Sequence, residues 1–139
     1  MRVLIDTNIV LDVLLNREKH VRDSAIIISK VQEGILEGYL AAHTIATLYY
    51  FGRKHIGPDA AKRFLVELIK IFRIARVDEY VIEQSLSLSL PDFEDAVVCA
   101  SADASDTVAV ITRDKDGFKR ATMPVFSPSE MLGILAAAQ

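Results

Sequence analysis

Residues 3–6 read Val-Leu-Ile-Asp, and this step from three apolar residues straight to an aspartate constrains the chain more than any other stretch. Three consecutive apolar residues without alternation describe a short strand buried on both faces, as in a parallel sheet. Asp6 then stands at the carboxyl end of that strand. In open α/β sheets that edge is where ligands bind. A carboxylate there is poorly placed for structure and well placed for chemistry.

The remaining chain alternates helical and strand patterns. Ile9–Leu15 reads as a short helix closed by Asn16-Arg17, and Val21–Ile35 carries apolar residues near helical spacing. Tyr39–Ala42 is a second strand. Thr44 can cap a helix from Ile45 to about Lys54. Gly57-Pro58-Asp59 breaks it, and Asp59 leads a further helix to Ile71. Arg73–Val77 is a third strand, and Asp78 caps a helix through Leu88. An alanine-rich helix over Phe93–Asp103 precedes the best strand signal, Thr107–Thr112. Pro124–Phe126 is a last strand. Ser127-Pro128-Ser129-Glu130 is a helix-start signature for a final helix over Met131–Ala138. Strands alternating with helices predict an α/β fold. The expected architecture is one three-layer α/β/α domain over residues 1–139, with a central, mainly parallel sheet.

Composition narrows the function classes. In 139 residues, 51% are hydrophobic and 25% charged, which suits a packed core rather than disorder. No apolar run reaches bilayer length and no export signal opens the chain, so a cytoplasmic protein without a membrane partner is expected. Cys99 is the only cysteine, and His20, His43 and His55 are scattered, which argues against an internal disulfide and a zinc site. The net charge of −3 argues against a nucleic-acid binder that works by bulk electrostatics. It leaves open an enzyme that reaches phosphates through a metal.

Three acidic clusters stand out: Asp6-Thr7-Asn8, Asp92-Phe93-Glu94-Asp95 and Asp114-Lys115-Asp116. If the first and the Thr107–Thr112 strands are neighbours, Asp6 and Asp114 converge. Carboxylate oxygens are the ligands that Mg²⁺ or Mn²⁺ takes, and without a cation such a group repels itself. A bound ion can polarise a phosphoryl oxygen and lower the pKa of a water molecule. Each cluster also has a purely structural reading. Asp6 can cap the first helix, Asp92 and Asp95 have capping-box spacing, and Asp114–Gly117 can be a turn.

The same residues resemble a known family. Val3–Asp12 (Val-Leu-Ile-Asp-Thr-Asn-Ile-Val-Leu-Asp), Asp92–Ala96, and Val110–Asp114 followed by Asp116-Gly117-Phe118 are similar to the PIN-domain ribonucleases, which include the toxins of VapBC toxin–antitoxin pairs. The likeness extends over essentially the whole chain. It implies an acidic site that binds Mg²⁺ or Mn²⁺ and cuts RNA. By match to the family's motif, Asp6, Asp95 and Asp114 are the catalytic and metal-holding acids, with Asp116 nearby as an auxiliary metal ligand. Asn8 matches the polar residue supporting the first acid, and Thr112 the hydroxyl that lines the site. Arg113 and Lys115, flanking Asp114, are the expected phosphate contacts. The resemblance also implies an antitoxin protein as partner and a homodimer.

One departure matters. Many family members carry a further acid on the helix after the second strand. Here its position falls near Thr47, and no Asp or Glu lies between Tyr39 and Pro58. A hydroxyl is a neutral, weaker ligand: either Asp92 compensates as a further metal ligand, or the chain binds its metal weakly. Two readings therefore stand: a metal-dependent endoribonuclease, and a degenerate module of the same fold that binds RNA or a protein partner without cutting. A phosphotransfer domain fits less well, because Asn8 stands where such a phosphatase needs a second aspartate.

Overall fold

In the computed structural model, which describes every residue from Met1 to Gln139, the opening strand forms as β1 (Arg2–Ile5). It lies at the centre of a five-stranded sheet. β2 (Glu37–Ala41) pairs with it on one side and β4 (Ala109–Ile111) on the other. β3 (Arg73–Ala75) and β5 (Val125–Phe126) form the edges, giving the order β3-β2-β1-β4-β5 with every pairing parallel. Parallel pairing points all five carboxyl ends to one edge. The β1–β4 register sets Ile5 beside Ile111.

The unbroken apolar run of β1 follows from this central place. Val3 and Ile5 face one core, together with Leu40, Ala109 and Ile111. That core is covered by α1 (Thr7–Leu14), α2 (Val21–Gln32), α3 (Ala42–Ile56), α4 (Pro58–Ile71) and α7 (Pro128–Ala137). Ile9, Ile27, Leu48, Leu68 and Met131 fill it. Leu4, Ala41, Ala75 and Val110 face the other way, onto Val98, Cys99 and Ala102 of α6 (Phe93–Ala104). The small side chains of α6 let it lie close to the sheet, and Ala96–Ala102 are all buried. α5 (Glu79–Ser87) packs against α6 through Val81. The result is the expected three-layer α/β/α arrangement around a parallel sheet.

Several helix starts follow the residues expected of them. Asp78 accepts from the Val81 N–H at 3.0 Å. Ser127 and Glu130 form a reciprocal capping box. Gly57, at φ +86°, closes α3 in a conformation that favours glycine, and Pro58 opens α4 at once.

Three local expectations are corrected. Thr44 does not cap its helix: α3 begins at Ala42, directly after β2, and no side chain caps it. Buried Thr44 instead shares a 2.9 Å hydrogen bond with the hydroxyl of Thr7, which ties α3 to α1. The strand expected over Thr107–Thr112 narrows to Ala109–Ile111, because Val108 is exposed and the Thr112 hydroxyl turns into a polar network. Asp114–Gly117 is no simple turn; Lys115–Phe118 form one turn of 3₁₀ helix that seats Phe118 in the core. No helix is long and apolar enough to cross a membrane.

Candidate active site

The carboxyl ends of β1 and β4 carry the first two parts of the site. The Asp6 N–H donates to the Ile111 carbonyl at 2.9 Å, so the two strand ends are joined where Asp6 begins. Asp6 is buried, and both its oxygens are used: Oδ1 accepts from the Thr7 N–H at 2.8 Å and Oδ2 from the Thr112 hydroxyl at 2.8 Å. It therefore caps α1 and faces the site at the same time. The Thr112 hydroxyl also accepts from Asn8 Nδ2 at 3.3 Å and from the Asp114 N–H at 3.1 Å. One buried threonine thus fixes Asp6, Asn8 and the backbone of Asp114 relative to one another.

The third part comes from the start of α6. Asp92 caps that helix, accepting from the Asp95 N–H at 3.1 Å, so the structural reading of its spacing holds. The cap sets the first helical turn against the ends of β1 and β4. Asp6, Asn8, Asp92, Asp95 and Asp114 all line one open pocket of about 300 Å³. Thr47 lines it from α3, at the position where a further acid was missing from the sequence. Its hydroxyl donates to its own helix, to the His43 carbonyl at 3.3 Å.

Two residues of the site were not anticipated. Glu94 lines the pocket beside Asp95 and reaches toward α3, with Oε1 3.7 Å from His43 Nε2. The signal was present in Asp92–Asp95, since two acids in one first helical turn stand close together. Gly117 presses its backbone against the Asp95 and Asp114 carboxylates; a Cβ there would collide with Asp95 Oδ2. That contact joins residues distant in sequence, and no local pattern announces it.

The electrostatics agree with a concentration of negative charge. Burial pushes the Asp95 carboxyl up to about 7, and the charges of Asp6, Asp92, Glu94 and Asp114 add to the shift. Burial also raises Asp6, against the lowering hydrogen bonds from Thr112 and Thr7, with Glu94 and Asp114 raising it further. The Cys99 thiol, one turn along α6 from Asp95, goes up to about 12 through burial first and then through Asp95 and Asp6. That thiol is no nucleophile at neutral pH.

The remaining expected residues lie outside the pocket. Asp116 is exposed and stands 3.5 Å from Lys119. Lys115 is held by Glu130 at 2.8 Å. Arg113 points away from the acids, its Nε donating to buried Asp12 at 2.8 Å. Asp12 accepts from the Ser24 hydroxyl at 2.8 Å as well, and Arg17 stands 3.5 Å away. This second carboxylate of the opening stretch is a structural clamp.

The pocket's donors fit a hard divalent cation. They are oxygens, no basic side chain lines the pocket, and the acids raise one another's proton affinity. No group of three or more Asp, Glu, His or Cys side chains is drawn tightly enough together to ligate an ion as it stands.

Comparison with known proteins bears on the same region. A family model described as PIN domain matches residues 2–116, which span all three acidic clusters. No curated protein matches the chain. Among solved structures, FitAcB from Neisseria gonorrhoeae is 24% identical, with a TM-score of 0.66 over 91% of this chain and 98% of that one. A toxin–antitoxin complex from Klebsiella pneumoniae is 22% identical, with a TM-score of 0.67 over 91% and 97%. VapBC2 from Rickettsia felis, bound to a DNA fragment from its promoter, is 13% identical, with a TM-score of 0.68 over 91% and 98%. At these identities the likeness is one of fold.

Proposed function

The chain belongs to the PIN domain family, and on that premise we propose that it is a metal-dependent endoribonuclease hydrolysing RNA phosphodiester bonds at the Asp6, Asp95 and Asp114 pocket. The observation that carries this reading is the meeting of acids from two strand ends and one helix start in a pocket without basic side chains. Bound there, Mg²⁺ or Mn²⁺ would supply charge neutralisation at a phosphoryl oxygen and a water molecule of lowered pKa.

The chain's own residues then have distinct tasks. Asp6, oriented by Thr112 and Thr7, offers a fixed oxygen, and Asp95 and Asp114 offer oxygens from facing elements. Asn8, hydrogen-bonded to Thr112, steadies the first acid's surroundings. Glu94 takes the part of the acid that α3 lacks at Thr47. Asp92 acts by capping α6 at the pocket's edge, while Asp116 stays outside the ligand set. No side chain in the pocket is placed as a dedicated general base.

The described neighbours are toxin–antitoxin complexes, which supports a toxin role in the cytoplasm under the control of an antitoxin partner. Exposed Val66 and Ile69 on α4 leave apolar surface for such a partner or for a second copy. Thr47 favours one second reading, a module that binds RNA without cutting it.

Purified protein incubated with structured RNAs, with and without Mn²⁺, separates the two. Cleavage that requires the metal and is abolished in Asp6→Asn and Asp114→Asn is expected. Metal-independent cleavage, or cleavage undiminished in both variants, overturns the mechanism. RNA binding with no cleavage in any divalent metal establishes the second reading.

A further inference from the structure

We propose that a second pocket, between the starts of α2 and α7, binds a backbone phosphate of the RNA beside the one being cut. The choice of RNA as ligand rests on the ribonuclease reading; the pocket's preference for an anion does not. The pocket holds about 210 Å³ and, apart from Pro128, is lined by polar and charged residues. Lys19, His20 and Arg113 supply positive or protonatable groups, and Ser24, Ser127 and Ser129 supply hydroxyls.

Three features favour an anion. The first is charge. Asp23 is the only acid in the lining, and Arg17 and Arg113 both face buried Asp12. In the lining itself two cations, Lys19 and Arg113, stand against one acid, Asp23, on a chain whose net charge is −3. The second is the backbone. α2 and α7 both begin at this pocket; the α7 start is closed by the Ser127–Glu130 capping box and Pro128 has no N–H, so α2 supplies the open helix start and the positive end of its macrodipole. His20, the cap residue of α2, makes no side-chain capping bond; the Val21 N–H donates to the Arg17 carbonyl at 2.8 Å, while those of Arg22 and Asp23 keep their donor capacity. The third is the bidentate character of the arginine. Only Nε of Arg113 donates to Asp12. Its guanidinium is held in place by a buried partner, a pre-organised donor for phosphate oxygens.

Position links the two pockets. Arg113 and Asp114 are consecutive at the end of β4; Arg113 lines this pocket and Asp114 lines the acidic one. The Arg113 N–H lies 3.5 Å from Asn8 Oδ1, so the wall between the pockets is a single residue step. A strand of RNA crossing the sheet edge there meets carboxylates on one side and cations on the other. The acidic pocket repels a phosphate without a metal, whereas this one attracts it. It would anchor the substrate independently of the ion.

The test uses the full chain, ¹⁵N-labelled, in excess EDTA. Two probes are titrated, inorganic phosphate and a short single-stranded RNA. Both are expected to move the amide resonances of His20, Arg22 and Ser129. Lys19→Glu reverses an exposed charge, and Ser129→Asp places a carboxylate at a helix start, where it favours the fold. Each is expected to weaken RNA binding about tenfold and to reduce the slope of log Kd against log salt by about one. RNA that moves only amides elsewhere, or binds both variants as it binds the parent, overturns the proposal. Phosphate that moves these amides while RNA does not overturns it too, leaving a small-anion site. The nuclease reading fails separately. RNA seated here but uncut in any divalent metal refutes that reading and leaves this pocket standing. Metal-dependent cleavage with unaltered KM in Lys19→Glu does the reverse.

Discussion

Thr112 is the residue on which the site's geometry turns. Its hydroxyl donates to Asp6 and accepts from Asn8 and from the Asp114 backbone, which uses its full hydrogen-bonding capacity. Thr112→Val keeps the shape and removes all three bonds. It leaves buried polar groups unpaired, so a loss of about 1–3 kcal/mol in chemical denaturation is expected, together with loss of cleavage. Thr112→Ser restores the hydroxyl and is expected to recover both; a Val variant as stable and active as the parent would refute the assignment. Gly117 sets a different limit. A Cβ there meets the Asp95 carboxylate, which can turn aside only by leaving its place in the pocket. Gly117→Ala is therefore expected to change stability by less than about 1 kcal/mol while sharply reducing metal-dependent cleavage. Equal loss of stability and activity would mean that the contact serves packing alone.

At the scale of elements, the end of β4 is tied to α1 and α2 by one buried cluster. Asp12 on α1 accepts from Arg113, just after β4, and from Ser24 on α2. Removing Arg113 leaves the buried Asp12 charge with only Arg17 and the Ser24 hydroxyl. Arg113→Ala is expected to cost about 1.5–3 kcal/mol in urea denaturation, and Asp12→Leu combined with Arg113→Met to recover part of it. If the single variant costs no more than an exposed ion pair, the cluster is no clamp. The same elements show what sequence reading reaches. The strand-end acids, the capping residues Asp78, Asp92 and Ser127, and the alternation of strands and helices are local patterns, and local patterns were legible. The clamp at Asp12 has no local signature, because its partners lie 12 and 101 residues away. Thr44 reads locally as a cap, because its actual partner, Thr7, is on another helix. Glu94 and Gly117 acquire meaning only when the start of α6 meets the turn after β4.

At the scale of the whole molecule, the acidic pocket is expected to destabilise the fold in the absence of a cation. The Asp95 carboxyl sits at about 7 in the folded protein, against 3.8 for an ordinary aspartate, and Asp6 is raised as well. A carboxyl raised by folding gives its full contribution below the ordinary value and loses it as pH rises through the folded value. The metal-free protein should therefore melt at progressively lower temperature as pH climbs from about 4 to beyond 7. Asp95→Asn, which sacrifices no side-chain hydrogen bond, should flatten that decline, and Mg²⁺ should restore more stability above pH 7 than below it. A decline unchanged in Asp95→Asn would place its cause elsewhere. The central claim remains that this pocket holds a divalent ion although α3 brings threonine in place of an acid, and calorimetric titration with Mn²⁺ tests it most directly. The parent protein is expected to bind one ion, Asp6→Asn and Asp95→Asn to bind none measurably, and Glu94→Gln to bind more weakly than the parent. No heat of binding in the parent, or binding undiminished in Asp6→Asn, would contradict the account.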